Sequence, residues 1–260
     1  DWIRPMVRRS MRRAAALVGV SEFVAQSLVD LGYDRGRIFV VRNGIELDDW
    51  IGAAPDTEGV REEFSLAADQ PVIVSASRLF RYKGQHELIA AMPEVRRSLP
   101  DVRALIVGAD DPRGAPGEGS YSAELRRLVD EFELDGCVVF TGWRHDVRAL
   151  MAAGTVYCMP SFEEPFGMVF AEAMALGKPV VALNNGGTKE VVDDGQSGLL
   201  SEPGDVGSLA RNLVELLSDD RRREDMSAHA RRRVVDHFGA ERMAIDTAHV
   251  YEHLVGSPAT

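Results

Sequence analysis

Two rhythms of apolar residues divide the chain. From Pro71 onward, short runs rich in β-branched residues (PVIVSAS, RALIVGA, CVVFTG, TVYCMPS, KPVVALN) alternate with stretches whose apolar positions recur at helical spacing. Strands apolar at nearly every position belong in a parallel sheet covered on both faces, because each then buries both of its sides. Helices are expected after Gly84, after Ser120 and through Val147, and GLL near Leu199 supplies a last strand. The pattern predicts an α/β fold, a doubly wound, Rossmann-like parallel sheet of about six strands.

The flanks read differently. Residues from about Arg4 to Gly32 have the pattern of two helices, and IFVVRN from Ile38 reads as a strand leading into a turn at Asn43 and Gly44. This opening has the character of the end of another domain. Gly, Ala, Pro and Asp between Ile51 and Gly59 suggest a linker or irregular connection. Gly and Pro dominate Asp110 to Ser120, which is expected to be the most mobile loop. The runs VGSLARNLVELLSD and MAIDTAHVYEHLV carry apolar residues at helical spacing to the end. The expected organisation is residues 1–50 as the tail of an N-terminal domain with its linker, 51–235 as the Rossmann-like domain, and 236–260 as a C-terminal helix packing back toward the first. The chain starts without Met, and it reads as part of a longer enzyme.

Charge narrows the partners. A formal net charge of −11 argues against a nucleic-acid partner, so any anionic ligand has to be held by a local group of cations. RPMVRRSMRR near the start is a basic amphipathic stretch that could seat on anionic lipid or form a solvated helix face. No run reaches the roughly 18 apolar residues of a membrane span. Cys137 and Cys158 sit in strand-like stretches and read as buried apolar side chains in a reducing compartment, without a metal-binding pattern. The expected location is cytoplasmic, with a peripheral place at the inner membrane face as a further option.

Chemistry concentrates in two runs. In PSFEEPFGMVFAEAMALGKPVVA a strand ends at Ser161 and a helix begins near Gly167. The start of such a helix exposes free amides suited to phosphate, here those of Gly167, Met168 and Val169. Glu172 lies within the helix, where a carboxylate can accept hydrogen bonds from vicinal hydroxyls, and Glu164 lies ahead of it. Either glutamate, read alone, is also an ordinary helix-flanking carboxylate. In SRLFRYKGQHELIAA, Arg78 and Lys83 follow the first strand of the sheet and could neutralise a diphosphate. Neither GxGxxG nor GxxxxGK[ST] is present, which counts against a dinucleotide dehydrogenase and a P-loop ATPase.

Together Glu164 and Glu172 in an E-x7-E arrangement, SRL with KG five residues later, VGVSEF, RNGIE and GGTKEVVDDG resemble the retaining GT-B glycosyltransferases with the E-x7-E motif, family 4 or group 1. The resemblance runs from about Ala14 to Tyr251 and chiefly concerns that family's C-terminal, donor-binding half. It implies transfer of a hexose from a nucleotide-diphosphate sugar, such as a UDP or GDP sugar, to an acceptor hydroxyl on a sugar or lipid-linked acceptor. Glu164 would be catalytic beside the donor sugar, with Phe166 and Gly167 also at the sugar. Arg78, Lys83 and the amides of Gly167, Met168 and Val169 would hold the diphosphate, and Glu172 the ribose. Arg144 is a candidate base contact. No cofactor and no metal are expected. Family members carry a further upstream domain of about 150 residues with the acceptor site. A donor module working with a separate acceptor chain, and a sugar phosphorylase of the same fold, are the alternatives.

Overall fold

A computed structural model describes residues 3–110 and 120–256. Most of the expected loop between Asp110 and Ser120 lies outside them. The chain opens with helix α1 (Ile3–Arg13), then β1 (Leu17–Gly19), α2 (Glu22–Asp30) and β2 (Ile38–Val40), and β1 and β2 form a parallel pair. The sequence pattern missed β1, whose three residues are too few to establish a period. The supposed linker contains order as well. Helix α3 (Leu47–Ile51) is followed by α4 (Thr57–Glu63), where Asp56 Oδ1 accepts from the Gly59 amide at 2.9 Å and Val60 is buried. That cap satisfies an amide which a helix start otherwise leaves open.

The main sheet starts at β3 (Val72–Ala76), which leads through α5 (Gln85–Ser98), β4 (Arg103–Val107), α6 (Tyr121–Glu131), β5 (Val138–Gly142) and α7 (Val147–Ala153). Its second half runs β6 (Val156–Met159), α8 (Met168–Ala175), β7 (Val180–Leu183), α9 (Thr188–Val191) and β8 (Gly198–Ser201). All six strands are parallel, in the order β5-β4-β3-β6-β7-β8. The chain grows outward from β3 in one direction and from β6 in the other, as the alternating pattern predicts for a doubly wound sheet. Helices α10 (Val206–Ser218), α11 (Asp220–His237) and α12 (Ala240–Gly256) complete the chain.

Both faces of the sheet are sealed. Val72, Val74, Ala76, Tyr157 and Met159 pack on one side with residues of α7, α8 and α11. Ile73, Ala104, Ile106, Val156 and Cys158 pack on the other with residues of α5, α6 and α10. The two sets alternate along each strand, as the pleat requires. Each fully buried aliphatic or Phe side chain contributes about 1.5 to 3 kcal/mol of transfer free energy. Cys137 and Cys158 are buried free thiols, and burial alone pushes the Cys158 pKa upward.

Residues 17–45 are tied to the rest at two places. Ile45 N donates to Phe238 O at 2.8 Å and Ala240 N to Ile45 O at 2.9 Å, which seats the start of α12 beside the chain after β2. Farther along α12, His253 meets Phe39 edge to face at 5.4 Å. On the other side, Ser21 Oγ donates to Pro165 O at 2.6 Å and Glu190 accepts from the amides of Glu22 and Phe23, each at 3.0 Å.

One backbone contact fixes the centre of the carboxyl edge. Gly84, at φ 74°, separates a 3-10 turn over Arg81–Lys83 from α5, and a Cβ there would overlap the Pro160 carbonyl. Gly84→Ala therefore combines a left-handed backbone with a backbone collision. It should cost about 1 to 3 kcal/mol in urea denaturation. An unchanged midpoint would show that the two loops are not in this contact.

Candidate functional site

The loops after β3 and β6 face each other where the order of the sheet reverses. Phe162 N donates to Tyr82 O at 2.7 Å, and Ser161 Oγ lies 3.1 Å from the same carbonyl. Lys83 Nζ sits 2.7 Å from Glu164 Oε2, with Tyr82 beneath the ammonium at 4.9 Å from the ring centroid. Glu164 is 6% exposed, and Ser161 Oγ is 3.0 Å from the same Oε2. Burying a carboxylate is costly unless opposite charge and hydrogen-bond donors replace water, and Lys83 and Ser161 stand where they can supply both.

The backbone around Glu164 is held just as closely. Glu163 adopts φ 52°, in the left-handed region where a side chain is strained, and this turn directs Glu164 inward. Gly187 N donates to Glu164 O at 2.7 Å. A Cβ at Gly186 would fall 2.5 Å from Glu164 O, and one at Gly187 would overlap Pro165 O. The paired glycines of GGTKE are thus what the Glu164 loop rests on, a role that their spacing in the sequence did not reveal.

Helix α8 begins at Gly167, with φ 94° and no side-chain cap. Among the described residues, the amides of Gly167, Met168 and Val169 have no protein acceptor. Such amides carry the positive end of the helix. One turn further in is Glu172, beside a cleft of about 370 Å³ at the carboxyl ends of β3 and β4. Ser77, Arg78, Gly108, Asp110, Trp143, Arg144 and Val169 form other parts of its wall. Gly108, at φ 140°, brings the end of β4 so close to Ser77 that a Cβ would overlap the Ser77 carbonyl. Gln85 Nε2 donates to Ser77 Oγ at 2.8 Å and to Arg78 O at 3.1 Å, which fixes the backbone that carries Arg78.

The residues singled out in the sequence thus fall into two adjoining groups. Arg78, Arg144, Val169 and Glu172 border the cleft, while Lys83 and Glu164 form the buried pair beside the free amides of Gly167 and Met168. Phe166 is not brought to either. Its side chain is 2% exposed and packs edge to face on Phe238 at 5.7 Å, so its ring belongs to the core and only its backbone remains for a ligand. Arg144 is also less free than the sequence suggests. Glu63 takes its Nη1 and Nη2 at 2.5 and 2.7 Å, and Asp146 takes Nε and Nη2 at 2.8 and 2.7 Å. These bonds hold the Glu63 and Asp146 carboxyls below their ordinary pKa values and raise that of Arg144. Arg144 therefore enters the cleft wall as a fixed plate. Ser161, Tyr82, Trp143 and Asp110 belong to the site and were not singled out, because nothing in a single sequence distinguishes them from loop residues.

The two glutamates differ electrostatically. Glu172 has no ion-pair partner among the described residues, and burial pushes its pKa up to about 6. A folded-state value above the reference of 4.5 means that the protonated form is favoured by folding. The associated stability is present below 4.5 and is lost as pH rises through about 6. Glu172→Gln should accordingly raise stability by about 1 kcal/mol at about pH 8 and change it little at about pH 4. Urea melts at the two pH values check this, and a variant less stable at the higher pH would refute it.

The fold and this edge of the sheet together define a glycosyltransferase domain of the GT-B type. The chain belongs to the group 1 glycosyl transferases, whose family model matches residues 56–233. Residues 1–49 match the model of Glycosyltransferase Family 4. Alpha-maltose-1-phosphate synthase of Mycolicibacterium smegmatis is 30% identical over 96% of this chain and 65% of its own length. The GDP-mannose-dependent alpha-(1-6)-phosphatidylinositol monomannoside mannosyltransferase of the same organism is 31% identical over 90% of this chain and 62% of its own. Among solved structures, Anabaena HepE in complex with UDP and glucose superposes with a TM-score of 0.85 at 29% identity, covering 93% of this chain and 64% of that one. The chain thus spans less than two thirds of the length of these relatives.

Proposed function

We propose that this chain is the donor-binding half of a retaining hexosyltransferase, one that transfers a hexose from a nucleotide-diphosphate sugar to an acceptor hydroxyl. The observation that carries the reading is the meeting, at one switch point, of an unpaired half-buried carboxylate, a lysine held on a buried carboxylate, and three free helix amides. In this reading Glu172 accepts the two ribose hydroxyls, and Trp143 and Arg144 flank the base. Arg78, Lys83 and the amides of Gly167, Met168 and Val169 hold the diphosphate. HepE, similar over most of this chain, was solved with UDP and glucose, which supports the choice of ligand class.

Charge accumulates on the diphosphate as the bond to the sugar breaks. Preorganised cations and amides stabilise that charge more than they stabilise the intact donor, which is how they lower the barrier. Lys83 is already oriented by Glu164, so binding the phosphate requires no search by a long side chain. Glu164, next to the sugar, orients its hydroxyls and favours positive charge at the anomeric carbon. The phosphate charge is balanced by protein groups, so turnover should not require a metal. The acceptor, a sugar or a lipid-linked sugar, would be bound by the additional length that the relatives possess or by a partner chain. A cytoplasmic location at the inner membrane face fits α1, where Met6 and Val7 are exposed among Arg8, Arg9, Arg12 and Arg13. No helix among the described residues is long and apolar enough to cross a membrane.

Calorimetric titration with UDP, GDP and ADP tests the donor site and identifies the base. Lys83→Ala and Glu172→Ala should each weaken the nucleotide that binds by about 1 to 3 kcal/mol. Unchanged affinity in both would overturn the assignment. With a full-length protein, an inverted anomeric product would remove the retaining mechanism and leave the donor site intact.

A further inference from the structure

The opposite edge of the sheet holds a second cavity, of about 440 Å³, at the amino ends of β6 and β7. Three separate segments bring cations to it: Arg61 from α4, Lys178 from the turn before β7, and Arg223 from α11. Thr57, Ser227, Glu224 and the backbone of Gly154 and Gly177 complete the wall. The guanidinium groups are braced by carbonyls more than by carboxylates. Arg61 donates to Ala67 O and, at 3.4 Å, to Ala153 O. Arg223 Nη1 donates to Leu216 O at 2.7 Å while its Nη2 pairs with Asp220. Arg231, close enough for its charge to act on Lys178, donates to Ala175 O at 3.2 Å.

We propose that this cavity is a second anion site, built for the dianion of a small phosphate monoester and separate from the donor cleft. Lys178 is half-buried in its wall, and no partner for its ammonium is found among the described residues. Among the residues that line the cavity, three cations, Lys178, Arg61 and Arg223, stand against one carboxylate, Glu224. The excess is two positive charges, which a phosphate monoester dianion neutralises. Guanidinium groups fixed by backbone carbonyls keep their remaining donors in place, and the hydroxyl of Thr57 adds a further donor. The volume lies within the range of small-molecule sites. A cation taken out of water without a partner is unfavourable, and an anion bound beside it removes that penalty. Burial, with Arg61, Arg223 and Arg231 nearby, lowers the Lys178 pKa to about 8, the response expected of an ammonium without an anion.

Calorimetric titration with inorganic phosphate and with glycerol 3-phosphate tests the site on this chain, on Lys178→Met, on Arg61→Met and on Lys83→Ala. Saturable binding is expected, at least about tenfold weaker in the Lys178 and Arg61 variants and unchanged in Lys83→Ala. Binding lost in Lys83→Ala but kept in Lys178→Met would place the anion in the donor cleft and overturn the proposal. Absence of saturable binding overturns it as well, including the case in which only vesicles containing phosphatidic acid bind. Thermal melts guard against a folding artefact. In phosphate-free buffer Lys178→Met should melt higher than the parent, and added phosphate should raise the parent's midpoint while leaving the variant's in place. A variant that responds to phosphate as the parent does would refute the site.

Discussion

The pairing of β3 with β6 is the constraint on which the rest of the molecule depends. These two parallel strands start the two halves of the sheet, and the chain winds away from them in opposite directions. The helix after β3 covers one face and the helix after β6 the other, since Leu88 and Met92 of α5 lie in one core and Phe170 and Met174 of α8 in the other. Two connections diverging from adjacent strands leave a crevice at the carboxyl edge, as open parallel sheets generally do. The loops that line the crevice are also joined across it. Tyr82 O accepts from Phe162 N, Gly84 allows contact with Pro160, and Lys83 reaches Glu164. The same pairing opens the cleft and aligns its two walls.

At that edge two glutamates eight residues apart meet burial in opposite ways. Glu164 lies beside a lysine and a serine hydroxyl, so its charge is compensated within the protein. Glu172 is without such compensation, and its raised pKa records the cost. Removing Lys83 from the first would leave a buried charge unmatched, whereas neutralising the second relieves an existing penalty. Buried groups whose protonation is displaced in this way cluster where proteins bind and react. The net charge of −11 makes the arrangement more informative, because the cations at both edges of the sheet stand out against an acidic molecule.

What the sequence revealed and what it concealed follow from the range of the interactions. Strands such as PVIVSAS and KPVVALN were legible because a strand buried on both faces must be apolar throughout, which is a local property. The start of α8 was legible for the same reason, since Gly167 and the apolar run after it announce a helix. Strand β1 was not, because LVG is a strand only through its pairing with Ile38–Val40. Phe166 was placed at the donor sugar by resemblance, and that its ring packs in the core on Phe238, 72 positions away, could not be read from the run itself. Arg144 was read as a candidate base contact, and the part of its pairing that is remote in sequence, with Glu63, was not legible. The basic cavity was out of reach for that reason too, since its cations come from positions 61, 178 and 223.

Distance in sequence also explains three motifs that touch no cleft. VGVSEF, RNGIE and GGTKE are far apart in the chain and meet as one contact. Glu190 of the third accepts from the amides of Glu22 and Phe23 at the start of α2 and lies 3.3 Å from the Arg42 guanidinium of the second. A carboxylate at a helix start answers open amides and the positive end of the helix dipole together. Ser21, which is fully buried, accepts from Val24 N as the cap of the same helix and donates to Pro165 O, the carbonyl next to Glu164. Gly187, three residues before Glu190, donates to Glu164 itself. Residues 17–45 are therefore registered on the loop that carries Glu164, and a shift of α2 would be transmitted to it through the Ser21–Pro165 bond and through the Glu22 and Phe23 amides on Glu190, whose segment bonds Glu164 by way of Gly187. The motifs are conspicuous in the sequence because they set the position of an acid they never approach with a side chain of their own.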